Sequence, residues 1–484
     1  MTSQTDAEDE DGSHAAEPSA GQGAEVPRGS EVDPTQTELE ANGANGSIEN
    51  GTSLRKRALQ GSAWVLGGLV ASHALRLANN LVLTRLLIPE AFGLMGIVQV
   101  ILQGLNMFSE VGIRSSIIAD DRGDDRDFVN TAWTIQIIRG VVIFAAAWVL
   151  TAPAAGFYAA PELHQILPFV AIAALIDGLG STARFTLIRR VEPARPIQFD
   201  LIAQITSLVL MVTLAWFWRS VWVLAIGYLT TALIKNSLSH LMIPGYSNRP
   251  RWDRQAAGRI VRFGGWIYLS AVFAFLASQG DRLVLAKVLG VEGFGVFGVA
   301  LYVAQAALQA LEALSANILH PVYKHLLDRP LPQTRKNIFE ARRMLLCAML
   351  PPVCFIAIFG GWIIEVLYDD RYLEAGWMLR ILAVGTIGQV VAGSAERVIL
   401  AGGNSFRWMS LQLSRFSLLG IALWIGYTRN DPALLLWGCA IARLVGYIPL
   451  ALFLRLQGVW LPKLDASALA LALGTTFLGI WLVG

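Results

Sequence analysis

The chain has 484 residues, of which 54% are hydrophobic and only 15% charged, with a mean hydropathy of +0.51. A soluble enzyme of this size needs more surface charge to stay dispersed, so that class is excluded and the apolar stretches belong in a bilayer. The formal net charge of +2 says nothing as a total, and its placement along the chain is what carries meaning.

Residues 1–53 are rich in Glu, Asp, Gly, Ser and Ala, with Arg28 as their single base. Such a segment buries too little apolar surface to offset its ordering entropy, so a disordered acidic tail is predicted. From Leu54 onward the pattern changes, with apolar stretches of about 20 residues, enough to cross roughly 30 Å of hydrocarbon. In the N-terminal half they are predicted at Ala58–Leu87, Ala91–Ile113, Val129–Leu150, Leu163–Thr182, Leu201–Phe217 and Val221–Leu241. Further on they fall at Gly264–Leu285, Gly293–Leu314, Met344–Val366, Ala375–Ala395, Trp408–Gly426, Leu434–Phe453 and Ala466–Val483.

The connections set the predicted orientation. Arg55, Lys56 and Arg57 precede the first span; Arg114, Arg122 and Arg126 follow the second; Arg184, Arg189, Arg190 and Arg195 follow the fourth. Arg249, Arg251, Arg254, Arg259 and Arg262 follow the sixth, and Lys324, Arg329, Arg335, Lys336, Arg342 and Arg343 follow the eighth. The alternate connections are nearly free of bases. Positive charge stays on the cytoplasmic side, so a cytoplasmic N-terminus is expected. Trp216, Trp218 and Trp222 gather at an outer turn, where an aromatic belt belongs.

The segment Leu83–Ile97 is echoed by Leu285–Val299. Arg85 falls with Lys287, Glu90 with Glu292, Phe92 with Phe294, Gly93 with Gly295 and Gly96 with Gly298. The copies join spans one and two and spans seven and eight, an even number of crossings apart, so the two halves run in the same sense. The expected fold is an all-α polytopic membrane protein of two six-helix lobes related by a parallel repeat, a plan that in transporters brackets a central path. Residues 54–245 form the first lobe, 246–262 a cytoplasmic linker, 263–456 the second lobe and 457–484 one additional segment.

Leu83-Thr-Arg-Leu-Leu-Ile-Pro-Glu-Ala-Phe-Gly93 resembles the opening signature of polysaccharide-exporting flippases of the multidrug/oligosaccharidyl-lipid/polysaccharide superfamily. Gly280-Asp-Arg-Leu-Val-Leu-Ala-Lys-Val-Leu-Gly290 resembles the start of their second half, and Asn317-Ile-Leu-His-Pro-Val-Tyr323 their entry into the central cytoplasmic loop. The likeness runs from about Leu54 to Leu456. Members of that family usually have twelve or fourteen spans, against thirteen here, which leaves the side of the C-terminus open. The resemblance implies export of undecaprenyl-pyrophosphate-linked oligosaccharide across a bacterial inner membrane, for exopolysaccharide or lipopolysaccharide synthesis. It also implies the polymerase and chain-length machinery as partners. A drug or cation antiporter of the same superfamily is one alternative; a membrane polymerase or ligase is another, disfavoured by outer connections of only about ten residues.

No catalytic constellation is present. Gly293-Phe-Gly-Val-Phe-Gly298 fits GxGxxG but opens a membrane helix and follows no strand, so close helix packing accounts for it. Cys347, Cys354 and Cys439 lie in apolar stretches without metal-ligand spacing, and neither a metal, a cofactor nor a nucleic-acid partner is expected. What remains is charge inside the membrane, which usually faces a cavity or a partner. Spans one, two, seven and eight line the lumen in the resembled family, which gives Arg76 a substrate-facing role. Arg282, Arg397 and Arg415 are further candidates for binding an anionic head. Asp281, Glu396 and the repeat-matched pair Glu110 and Glu312 are candidates for coupling or gating. Arg139, Asp177, Lys235, Arg380 and Arg443 are also intramembrane charges, with snorkelling to the interface as the alternative for Lys235, Arg380 and Arg443.

Overall fold

The computed structural model describes residues 67–483 apart from 69, 110–111, 190–193, 244–246, 315–330 and 402–404. Side chains at 115, 119, 260–271, 274, 306–307, 310–314, 331–332, 397, 400–401, 405–406 and 483 lie outside that description, as does the predicted tail. Among the described residues every regular element is a helix. The first eight are α1 (70–86), α2 (Pro89–Phe108), α3 (Ile113–Ala119), α4 (Arg126–Tyr158), α5 (Leu163–Leu179), α6 (Ala183–Arg189), α7 (Ala194–Phe217) and α8 (Val221–Ser239). Then come α9 (Arg254–Leu314), α10 (Leu331–Leu367), α11 (Ala375–Ala401), α12 (Ser405–Arg429), α13 (Pro432–Val445), α14 (Tyr447–Leu456) and α15 (Pro462–Val483).

Local sequence explains where the helices break. Pro89 opens α2 at a position whose missing N–H costs nothing, after an extended Ile88 at φ −82° and ψ 155°. Gly290, the repeat counterpart of Ile88, stands at φ 69° and ψ 179° inside the 61 residues of α9. That backbone conformation is open to glycine and costly for residues with a Cβ. A straight helix of that length would run about 90 Å, three bilayer cores, so the Gly290 break divides α9 into two spanning arms. Helices α5 and α6 meet at a bend of 57°, and only together are they long and apolar enough for a span.

Ten described helices are long and apolar enough to cross a bilayer, and the α5–α6 pair makes an eleventh. Dividing α9 at Gly290 and including α1 accounts for all thirteen predicted stretches. The largest core gathers at the end of the bundle bearing the Leu87–Pro89 and Gly290 turns, hereafter the turn end. It includes Leu83, Leu87, Leu94, Leu285, Phe297, Tyr372 and Leu435.

At that end the two copies of the sequence repeat meet. A Cβ added to Gly93 would lie 1.8 Å from the Val291 carbonyl oxygen, and one added to Gly295 would lie 1.9 Å from that of Pro89. Gly295 is the repeat counterpart of Gly93, and Val291 that of Pro89, so each relation is the repeat image of the other. The contact is reciprocal, as two copies related by a local two-fold would make it.

Two other regions depart from a simple reading of the sequence. Arg342, expected among cytoplasmic loop charges, is 1% exposed, because α10 begins at Leu331 and carries it three turns inward. Its guanidinium pairs with Asp465 of α15, which is 2% exposed, and Nε donates to Ser394 Oγ at 3.2 Å. Asp465 also accepts from the Tyr447 hydroxyl, which in turn accepts from Trp460 Nε1 at 3.1 Å. A second core, with Leu346, Val390, Leu450 and Ala472, surrounds this network, so the last helix is integral to the bundle.

At the end opposite the turns, residues 247–253 are non-helical and lie stitched to α4 and α5–α6. Asn248 Nδ2 donates to Thr182 at 2.6 Å, the Arg249 N–H to Asn130 at 3.0 Å and the Asp253 N–H to Thr131 at 3.1 Å. Arg122 bridges Asp125 at 2.7 Å and Asp253 at 3.1 Å. The Arg122 hydrogen bond holds the Asp125 carboxyl below the usual carboxylate range; Asp253 is lowered first by the Gln255 N–H and then by Arg122. From residue 254 the predicted linker is already helix, the first turns of α9.

Candidate functional site

A cavity of about 930 Å³ lies between α1, α2, both arms of α9, α11, α12 and α13. Its wall on α2 bears Gln103, fourteen residues past Pro89 and so about 20 Å from the turn end along the helix. The α9 arms contribute Ser278, Gln279 and Arg282 before Gly290, and Gln305 and Gln309 after it. Thr386, Gln389 and Glu396 come from α11, Trp408, Gln412 and Arg415 from α12, Arg443 from α13 and Arg76 from α1.

Four arginines therefore face one space. Arg415 donates to Glu396 Oε1 at 3.0 Å and to Gln412 Oε1 at 3.3 Å. Arg443 pairs with Asp281, whose residue is 2% exposed and whose carboxylate also accepts the Arg282 N–H at 2.9 Å. An ion pair removed from water needs such extra hydrogen bonds to offset desolvation. Neither Arg76 nor Arg282 has a carboxylate in salt-bridge range among the described residues. The Arg282 Nε–H is buried without a partner, although buried donors are nearly always satisfied. Among the described residues, the cavity thus carries two guanidiniums from different helices without a carboxylate partner of their own.

The helices around it are tied together at the turn end. Beyond the reciprocal Gly93 and Gly295 contacts, Tyr368 donates to Asn80 Oδ1 at 2.7 Å. The Arg371 guanidinium caps the carbonyl end of α1, donating to Thr84 O at 2.9 Å, Leu87 O at 3.1 Å and Arg85 O at 3.3 Å. Cationic groups are favoured there because the helix dipole puts partial negative charge on those carbonyls. Phe92 meets Tyr372 edge-on at 6.4 Å.

Of the eight residues the sequence singled out, Arg76, Arg282, Arg415 and Glu396 share this cavity, and Asp281 sits directly behind it, bound to Arg443. Arg397 and Glu312 are helical positions whose side chains lie outside the described residues, and Glu110 lies outside them altogether. Arg443 faces inward rather than snorkelling. Lys235 pairs with Asp200 at 3.4 Å. Sequence reasoning passed over the seven glutamines on the wall: Gln99, Gln103, Gln279, Gln305, Gln309, Gln389 and Gln412. One signal was available, since Gln103 and Gln305 stand at the repeat's own offset.

Comparison with known proteins places the architecture. A family model described as polysaccharide biosynthesis protein matches residues 82–376. The lipopolysaccharide biosynthesis protein WzxC of Escherichia coli (strain K12) is 21% identical over 355 residues, 72% of this chain and 71% of that one. Among solved structures, the inward closed conformation of the lipid II flippase MurJ superposes with a TM-score of 0.65 at 12% identity, covering 88% of this chain and 92% of that one. An inward-facing multidrug MATE transporter of the MOP superfamily gives 0.61 at 15% identity, covering 81% and 95%. The fold is shared with both.

Proposed function

The chain belongs to the polysaccharide biosynthesis protein family, and we propose that it is a flippase carrying undecaprenyl-pyrophosphate-linked oligosaccharide outward across the bacterial inner membrane by alternating access. The single observation that carries this reading is the pair of guanidiniums, Arg76 and Arg282, that have no ion-pair partner among the described residues, in a cavity whose other two arginines are each paired with a carboxylate. A pyrophosphate diester brings two negative charges, which match the two guanidiniums left without an ion-pair partner among the described residues. Guanidinium groups remain charged and bind phosphate oxygens through two parallel hydrogen bonds. A cationic drug would meet like charge there.

The reciprocal glycine contact supports two lobes related by the parallel repeat and hinged toward one another at the turn end. Loop charge supports assigning the turn end to the outside, with the N-terminus cytoplasmic. The cavity described above is then closed to the outside, the state that receives cargo from the cytoplasmic leaflet. Arg415–Glu396 and Asp281–Arg443 are the pairs through which an ion or proton would couple to the cycle.

The test is complementation of a deletion strain. Arg76→Ala/Arg282→Ala is expected to lower surface polysaccharide at least tenfold at unchanged membrane abundance, with drug sensitivity unaltered. Full export by the double variant removes the reading.

A further inference from the structure

We infer that the glutamine wall of the cavity is a sugar subsite, selecting an uncharged, hydroxyl-rich group joined to the anion that Arg76 and Arg282 receive. This rests on the flippase reading and adds to it the residues that choose the cargo. Gln279 is 7% exposed, and its Oε1 has no partner; Gln389 Oε1 is likewise buried without one. A buried amide left unsatisfied costs stability, so two of them opening on one cavity are kept for a ligand that supplies the missing bonds.

The chemistry fits sugar in particular. An amide offers two donors and an acceptor without charge, so it pairs with hydroxyls that both give and take hydrogen bonds. It does not compete with phosphate for the arginines, as a glutamate would. Gln279 lies three residues before Arg282 on α9, and residues at that spacing share a helix face. The anion and sugar subsites are therefore adjacent. Gln412 connects them, because its Oε1 accepts from Arg415 while its amide N–H groups remain for a ligand. Trp408 on the same wall supplies an apolar face against which a sugar ring can lie. Water alone would also solvate surface glutamines, but it would show no preference between ligands.

The experiment uses the full chain in lipid nanodiscs, with two probes: bare undecaprenyl pyrophosphate, and the same lipid bearing one neutral hexose. The wild type is expected to bind the hexose form at least tenfold more tightly. In Gln279→Met/Gln389→Met, which keeps side-chain length while removing both amides, that ratio is expected to fall below threefold. Equal binding of the two probes by the wild type overturns the sugar subsite without any variant, as does a ratio that survives in the double variant. Arg76→Ala/Arg282→Ala separates the two claims. If the bare lipid does not bind, or binds that variant as well as the wild type, the flippase reading itself fails. If bare-lipid binding needs the arginines but the hexose adds nothing, only the sugar subsite falls.

Discussion

The reciprocal glycine contact makes the sharpest test of the seal. In Gly93→Ala/Gly295→Ala, each new methyl would sit 1.8–1.9 Å from a backbone carbonyl oxygen of the opposite repeat, where real Cβ contacts are not found below 3.0 Å. The obstacle is backbone, so no rotamer change relieves it, and the two helices must separate by at least about 1.2 Å. Overpacking of this kind costs about 1–3 kcal/mol per site. The two sites share one interface, so their costs do not simply add. A net penalty of about 2 kcal/mol moves the sealed-to-open ratio roughly thirtyfold.

The readout is labelling of a cysteine at Ser278, on the cavity wall, in a background lacking Cys347, Cys354 and Cys439. A membrane-impermeant thiol reagent added from the outside is expected to react at least tenfold faster in the double alanine variant, with export reduced. Gly298→Ala is the control, since nothing lies within 4 Å of the added methyl. Labelling and export both equal to wild type would show that the reciprocal contact is not the seal.

Other consequences follow from the charged contacts. Arg342→Met strands the Asp465 carboxylate in the interior and is expected to destabilise by about 3–5 kcal/mol, read as thermal unfolding in detergent; Arg342→Met/Asp465→Leu recovers most of that loss. Arg371→Ala uncaps α1 and removes a contact that must break whenever the turn end opens, so faster Ser278→Cys labelling is expected with unfolding temperature nearly unchanged. A carboxyl whose folded pKa is depressed contributes stability above its unfolded value, near 3.9, that is lost as pH falls through the folded value. Amide protection of the strap at 248–253 is therefore expected to persist from neutral pH to about 4 and to decay below it. In Arg122→Ala the loss moves up into the ordinary carboxylate range, as hydrogen exchange against pH would detect.

The fold was legible because hydrophobic length and loop charge are properties of contiguous sequence. Span positions and the repeat could both be read that way. Burial of a charge is not a contiguous property, and that is where sequence reading stopped. Arg342 and Arg343 are neighbours in one basic run, yet only the helix phase of α10, and an aspartate more than a hundred residues on, make Arg342 interior. The same limit applied to the site. Four of the eight chosen residues share the cavity because charge in a span is conspicuous on any hydropathy scale. Asp281 and Arg443 are 162 residues apart, so sequence could not distinguish a pair from two snorkelling ends.

The glutamines were overlooked for a different reason. Their penalty in a bilayer is small enough that one residue draws no attention, and seven from four helices become a wall only after folding. Gln103 and Gln305 nevertheless stand 202 residues apart, as Gly93 and Gly295 do. The glycines let the repeats touch at the sealed end. The glutamines, ten residues further along each helix and so about 15 Å deeper, place the same neutral donor and acceptor on both sides of the path. In the proposed alternating-access cycle, a group bound between them would keep an amide contact with each half, which a site built on one half alone would lose.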